Sequence, residues 1–257
     1  MEPIGIDRYI NPELYDLAYS WYTDDIPFYL ERAREARGAV LEVGCGTGRV
    51  LLPSLEAGAD IDGIDLHAGM LQVLERRAAA LGLKPRVTLA DMRDFTMPRR
   101  YALITIPFRA FQHLYTTEDQ LRALRCMREH LEPGGTLVYN VFHPSFEALC
   151  NADHPVHQDR EVLHPDTGLP VVLHDVRREL DRVNQLMNVE REIIESDARG
   201  YAHVVDRHAF TLRWTYKAEM DLLLHAAGFT RWDVRGGFDG RPLEKDTDEM
   251  VWTAWKD

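Results

Sequence analysis

The sequence predicts an α/β fold: a doubly wound, seven-stranded sheet carrying an inserted antiparallel β lid. Three observations predict it. Short apolar runs alternate with helical patterns between residues 39 and 142, a glycine corner follows the first run, and from residue 170 to 214 the helices drop out of the pattern. Strands separated by helical crossovers form a parallel sheet covered on both faces, whereas consecutive strands joined by short turns pair antiparallel.

Each element has a local reason. Leu14, Tyr15, Leu17, Ala18 and Trp21 fall at spacings of three and four, which predicts a helix over 12–22, and Phe28, Leu30 and Ala33 predict a second over 26–37. Strand 39–43 then feeds a helix ending near Glu56, strand 60–64 feeds a helix over 68–81, and Arg86 to Met92 reads as a third strand. Tyr101 to Ile106 is a fourth, followed by a helix from about Glu118 to Leu131, with His113 expected at the helix start. The turn Glu132-Pro133-Gly134-Gly135 precedes the fifth strand, 136–142. Residues 143–169 read as a loop, and 170–180, 183–195 and 202–214 as three antiparallel strands. A helix over 217–227, stopped by Gly228, and strands 231–235 and 250–255 complete the chain. The expected domains are 1–142 (N-terminal helices and ligand-binding half), 143–214 (lid or dimer face) and 215–257 (last helix and strands).

Composition narrows the function. A formal charge of −12 without a dense Lys/Arg run disfavours nucleic acid, whose binding relies on clustered cations. No apolar run of about 18 residues and no signal-like start are present, so the expectation is a cytoplasmic protein with no membrane partner. Cys45, Cys126 and Cys150 are odd in number and lack C-x-x-C spacing, which argues for reduced thiols over a disulfide framework or zinc site.

Val40-Leu41-Glu42-Val43-Gly44-Cys45-Gly46-Thr47-Gly48 is the densest functional signal. Glycines at a strand-to-helix corner admit positive φ and let main-chain N–H groups approach a ligand. Their G-x-G-x-G spacing departs from the G-x-G-x-x-G of dinucleotide sites, favouring a ligand without phosphates. Asp65 ends the second strand roughly 20 residues on, where a carboxylate accepts hydrogen bonds from ribose hydroxyls. Asp91 ends the third strand beside Met92, and the Pro-Gly-Gly turn follows in order.

On these motifs the chain resembles the class I S-adenosylmethionine-dependent methyltransferases, firmly over residues 39–142. The Asp91-Met92-Arg93-Asp94-Phe95 stretch and the place of the insertion are similar to glycine N-methyltransferases and aminosugar N,N-dimethyltransferases. The resemblance implies a Rossmann-like sheet whose seventh strand runs antiparallel, and S-adenosyl-L-methionine as cofactor. It implies a cofactor site of Glu42, Gly44, Cys45, Gly46, Asp65, Leu66, Met70, Asp91, Met92, Ile106 and Pro107, with Tyr15 closing over it.

Methyl transfer from a sulfonium to O or N of a small molecule needs alignment, a dry site and a base where the nucleophile arrives protonated. His113 is the first choice of base and His143 the second; each also reads as a histidine satisfied by backbone carbonyls. Arg109 reads as a clamp for a carboxylate of cofactor or substrate, or as a surface arginine. Tyr15, Tyr19 and Tyr22 share a helix face, with Tyr19 a candidate substrate contact. Asp153, His154, His157, His164 and Asp166 invite a metal, but Pro155 opposes a helical ligand pair and magnesium prefers carboxylates, so no metal is expected. A homodimer fits the inserted strands. The competing functions are an NAD-dependent oxidoreductase, disfavoured by the glycine spacing, and a cofactor-binding subunit without catalysis.

Overall fold

The structure is a computed structural model describing residues 8–142, 145–150, 160–197 and 199–257. In chain order its elements are α1 (Pro12–Ala18), α2 (Asp25–Glu35), β1 (Val40–Val43), α3 (Leu51–Glu56), β2 (Ile61–Asp65), α4 (Ala68–Ala80), β3 (Arg86–Leu89) and β4 (Tyr101–Ile106). Next come α5 (Thr117–His130), β5 (Leu131–Val141), α6 (Phe146–Cys150), β6 (Arg160–Leu163), β7 (Pro170–Asp181) and β8 (Leu186–Ser196). The last are β9 (Ala202–Arg213), α7 (Lys217–Ala226), β10 (Arg231–Arg235) and β11 (Met250–Trp255). No helix among the described residues is long and apolar enough to cross a membrane.

Packing divides the chain into two units: Asp24–His143 with Trp214–Asp257, and Met1–Thr23 with Pro144–Arg213. The expected boundaries grouped residues 1–23 with the ligand-binding half. Here α1 goes with the inserted strands, because Arg191 Nη1 donates to the Tyr19 hydroxyl at 3.3 Å and the Arg160 guanidinium lies 3.5 Å from the Trp21 ring centroid.

The larger unit is a seven-stranded sheet in the order β10-β11-β5-β4-β1-β2-β3, with β11 antiparallel to both neighbours. β1 is buried along its whole length, as a central parallel strand covered by helices must be. Its residues alternate between two cores. Leu41 and Val43 pack with Ile104, Leu124 and Trp252, while Val40 packs with Leu51, Ile61, Leu74 and Tyr29 on the opposite face. Leu41 is wholly buried, and truncating such a leucine to alanine costs about 2–5 kcal/mol.

Three expectations shift. The Pro-Gly-Gly turn lies inside β5: the strand starts at Leu131, opposite Tyr101, and pairing resumes two residues later at Leu103↔Thr136. A Cβ at Gly135 would meet the Glu132 and Tyr101 carbonyl oxygens at 2.9 Å, so only glycine fits the bulge. His113 does not begin a helix. It ends a 3-10 turn, Ala110–His113, and α5 starts after Thr116, whose side chain caps the Asp119 N–H at 3.0 Å. The supposed loop 143–169 contains α6 and β6.

The smaller unit is an antiparallel sheet in the order β6-β7-β8-β9, one strand more than the sequence predicts. Its turns rest on local carboxylates: Asp181 accepts from the Val183 and Asn184 N–H groups, and Asp197 from those of Arg199 and Tyr201. A buried row crosses the sheet, with Asp175 closed by Arg178 and Arg191.

Candidate active site at the carboxyl ends of the strands

In an open α/β sheet the loops beyond the carboxyl ends of the strands form the binding crevice. The glycine corner supplies its floor. Gly44 and Cys45 both donate to the Ile64 carbonyl, at 2.8 and 3.0 Å, which ties the end of β1 to β2. Gly44 has φ +71°, and a Cβ there would lie 2.8 Å from that of Ala110, so the corner and the turn after β4 approach each other only because Gly44 has no side chain. Gly46, at φ +51°, faces open space: nothing lies within 4 Å of where its Cβ would be. The corner thus presents backbone without a side chain to open space.

Asp65 fixes that backbone. Its carboxylate accepts from the Gly46 N–H and the His67 N–H, each at 2.8 Å. Burial raises its pKa from the ordinary aspartate value, against those same backbone donors, which lower it. Glu42 is 2 % exposed, and its Oε2 has no hydrogen-bond partner. Burial pushes its carboxyl well above the usual range, opposed by Arg49 and reinforced by Asp25 and Asp65. A buried acceptor left without a donor costs about 1–3 kcal/mol and calls for a partner.

The other residues predicted for the cofactor site differ in burial and in partners. Asp91 is held by Arg93, whose Nη2 lies 2.6 Å from Oδ2 and whose N–H donates to Oδ1 at 2.9 Å. Burial alone would raise the Asp91 carboxyl, but the Arg93 side chain and backbone hydrogen bonds bring it below the ordinary value. Met92 is half-buried against the core and Leu66 is exposed, while Met70, Ile106 and Pro107 are buried. The Cys45 side chain turns into the core beside Gly63, so only its backbone belongs to the surface of the corner.

Beyond β4 the backbone is strained. Phe108 and Arg109 take φ of +52° and +64°, a conformation that costs about 1–3 kcal/mol per non-glycine residue. Side chains from distant elements hold it. Arg109 closes bidentately on Glu249, Nε to Oε1 at 2.9 Å and Nη2 to Oε2 at 2.5 Å, and lies 4.6 Å over the Phe142 ring. Asn140 donates to Glu249 Oε1 at 2.6 Å and accepts from the Tyr29 hydroxyl at 2.8 Å. The buried Gln112 amide pairs both ways with the Phe142 backbone, at 3.0 and 3.1 Å. Arg49 lies 4.8 Å from the Phe108 ring centroid and grips Asp25 through two 2.6 Å bonds. His113, half-buried, emerges at the end of this braced turn.

The fork of Arg109 thus clamps a carboxylate, as the sequence suggested, but one of its own chain. Glu249, Gln112 and Tyr29 escape sequence reasoning; Glu249 sits in the polar run Asp246-Thr247-Asp248-Glu249, which reads as a solvated loop. Tyr15 and Tyr19 belong to the smaller unit, their rings 4.9 Å apart. His143 lies outside the described residues, as do Asp153, His154 and His157. His164 Nδ1 accepts from the Asp166 N–H at 3.2 Å, a turn contact.

The open space at Gly46, the Glu42 Oε2 without a hydrogen-bond partner and the strand-end carboxylates together fit a nucleoside bearing a cationic tail. Comparison with known proteins agrees. A family model for methyltransferase domains matches residues 40–135. A dTDP-3-amino-3,6-dideoxy-alpha-D-glucopyranose N,N-dimethyltransferase of Streptomyces fradiae is 30 % identical, over 90 % of this chain and 88 % of that protein. A dTDP-3-amino-3,4,6-trideoxy-alpha-D-glucopyranose N,N-dimethyltransferase of Streptomyces venezuelae is 29 % identical, over 91 % and 95 %. In fold, the chain is similar to an amino pentose methyltransferase from Micromonospora echinaspora solved with S-adenosylmethionine bound, at 23 % identity, TM-score 0.69 and coverage of 95 % and 97 %. With sheet order, glycine corner and relatives in agreement, the chain belongs to the class I S-adenosylmethionine-dependent methyltransferases and is an enzyme of that family.

Proposed function

We propose that the enzyme methylates an amine nitrogen of a small-molecule acceptor, with the reacting centre between the glycine corner and the turn after β4. The observation that carries this reading is the corner itself, bare at Gly46 and backed by Asp65 and by the Glu42 Oε2 that has no hydrogen-bond partner. Bound there, S-adenosylmethionine supplies an electrophilic methyl on a sulfonium whose departure leaves a neutral thioether. Asp65 takes the ribose hydroxyls, Asp91 the adenine amino group under Met92, and Glu42 the methionyl ammonium, with the backbone of Gly44, Cys45 and Gly46 beneath. Leu66, Met70, Ile106 and Pro107 shape the apolar walls and exclude water.

His113 takes the proton from the acceptor nitrogen, since an imidazole titrates near neutral pH and the braced turn fixes its place. His143 is the second candidate. Tyr15 and Tyr19 are assigned to cofactor closure and substrate contact on the family resemblance alone. Nitrogen is preferred to oxygen because the two Streptomyces relatives above, each matched over at least 90 % of this chain, are named as N,N-dimethyltransferases. The reading includes a cytoplasmic homodimer associating through the smaller unit, which leaves Leu163, Val204 and Val205 exposed.

Calorimetry with S-adenosylhomocysteine, followed by transfer of labelled methyl to matched amines and alcohols, tests the reading. Micromolar binding with label on the amines is expected. Binding without transfer to any amine would mark a non-catalytic subunit, and label on the alcohols alone would overturn the nitrogen assignment.

A further inference from the structure

Asp25 and Tyr29 lie four residues apart on α2 and share a face, and they are 0 and 1 % exposed. Two chains of contacts start from that face. Asp25 takes the Arg49 guanidinium through two 2.6 Å bonds, and the same guanidinium lies 4.8 Å from the centroid of the Phe108 ring. The Tyr29 hydroxyl donates to Asn140 Oδ1 at 2.8 Å, the Asn140 amide donates to Glu249 Oε1 at 2.6 Å, and Glu249 accepts from Arg109 Nε at 2.9 Å and Nη2 at 2.5 Å. The chains therefore end on Phe108 and Arg109. Among the described residues of the larger unit, these two are the non-glycine residues at positive φ.

Two successive side-chain-bearing residues keep a left-handed conformation only where their surroundings over-determine it. Buried ion pairs add little net stability, because desolvation offsets their attraction, but they fix the place of what they hold. What is held here is the segment after β4. The Arg109 carbonyl accepts from the Gln112 N–H at 2.9 Å, so the set of its peptide orients the 3-10 turn that ends in His113. The same turn brings Ala110 against Gly44 of the glycine corner. We infer that Asp25 and Tyr29 are positioning residues for methyl transfer: through Arg49 and through Asn140 and Glu249, the first turns of α2 hold residues 108–109 in their strained form and so fix His113 and that wall of the reacting centre. The inference rests on the reading of this crevice as the site of amine methylation and adds to it a helix whose residues carry none of the chemistry.

Hydrogen exchange of the Ala110, Gln112 and Leu114 amides in the full chain loaded with S-adenosylhomocysteine reads the turn without turnover. Transfer of labelled methyl from S-adenosylmethionine to the matched amines reads its consequence. Tyr29→Phe keeps the ring and deletes the hydroxyl, so it should speed exchange of those amides and lower kcat, each by about fivefold, with the KM for S-adenosylmethionine within about twofold. Glu249→Gln should exceed both effects, at about tenfold or more. Asp25→Asn should speed the same exchange, and Tyr29→Phe keeps the test open should that variant fail to fold. Rescue separates positioning from general stability. In the Glu249→Gln background, Arg109→Asn should regain more kcat than Arg109→Ala, because asparagine enters the left-handed region more readily. Unchanged exchange and kcat in folded Tyr29→Phe and Glu249→Gln variants, exchange that rises evenly over the whole sheet, or equal recovery by asparagine and alanine overturns the inference. Failure of the amine reading shows separately, as a parent enzyme that methylates no amine while the exchange differences remain.

Discussion

Asp62 and Asp65 lie three residues apart on β2, and the two edges of the sheet use them in opposite ways. At the amino edge, Asp62 accepts from Arg86 Nε at 2.6 Å, from Arg99 Nε and Nη2 at 2.8 Å and from the Tyr101 hydroxyl at 2.9 Å, while Asp60 holds the far ends of the same guanidiniums. Burial would raise the Asp62 carboxyl, but these donors bring it below the ordinary aspartate value. At the carboxyl edge, Asp65 is satisfied by main-chain donors and is raised, and Glu42 is raised further with one oxygen unserved. A carboxylate saturated by guanidinium is a clamp; one that is buried with an acceptor oxygen unserved keeps spare capacity for a donor. The same side-chain type is fully paired with guanidiniums at one edge and held by main-chain donors at the other.

The comparison is most exposed to replacement of His113. His113→Ala should lower turnover by about 10²–10⁴-fold with S-adenosylhomocysteine affinity nearly unchanged; a folded variant with full activity removes His113 from the reaction. Next is Asp65→Ala, which should weaken S-adenosylhomocysteine binding by about 10–100-fold, or about 1.5–3 kcal/mol, in calorimetry. Unchanged affinity would place the ribose elsewhere.

Asp62→Ala should do the reverse, costing about 2 kcal/mol of stability, or about 4–8 °C in melting temperature, with cofactor affinity within about twofold. Because the folded Asp62 carboxyl is depressed, the stability it contributes is present above the ordinary aspartate value and lost as pH falls through the depressed one. The gap between parent and variant should therefore close in acid, and a gap that widens there would contradict the clamp.

The smallest effect carries the opposite sign. Glu42 is raised, so its favourable share of stability is full below the ordinary glutamate value and is lost as pH climbs through the raised one. Glu42→Gln should melt higher than the parent at neutral pH by roughly 2–4 °C, about 1 kcal/mol, match it in acid, and bind S-adenosylhomocysteine more weakly. A variant that melts lower at neutral pH would mean that Glu42 has a partner in the free enzyme.

Legibility in the sequence followed locality. The corner at 44–48 and the acids at 65 and 91 were readable because strand ends and glycine turns are set by neighbouring residues. Strand β6 was not, since only Val162 of its four residues is buried and the segment shows no alternation. The place of His113 was misread by one element, because the cap at Thr116 delays α5 and a 3-10 turn fills the space. Glu249 was unreadable as a partner of Arg109 because 140 positions separate them.

By itself the sequence determined the order of strands and helices in the larger sheet, the glycine corner and the acids at the strand ends, since periodicity, caps and glycine φ act over a few residues. Only the tertiary structure decided which charges neutralise one another: Asp62 held by two arginines and a tyrosine, Arg109 spent on Glu249, Glu42 left with an open oxygen. Such pairings depend on how the sheet brings distant strand ends to one rim, a geometry that no local pattern of residues contains.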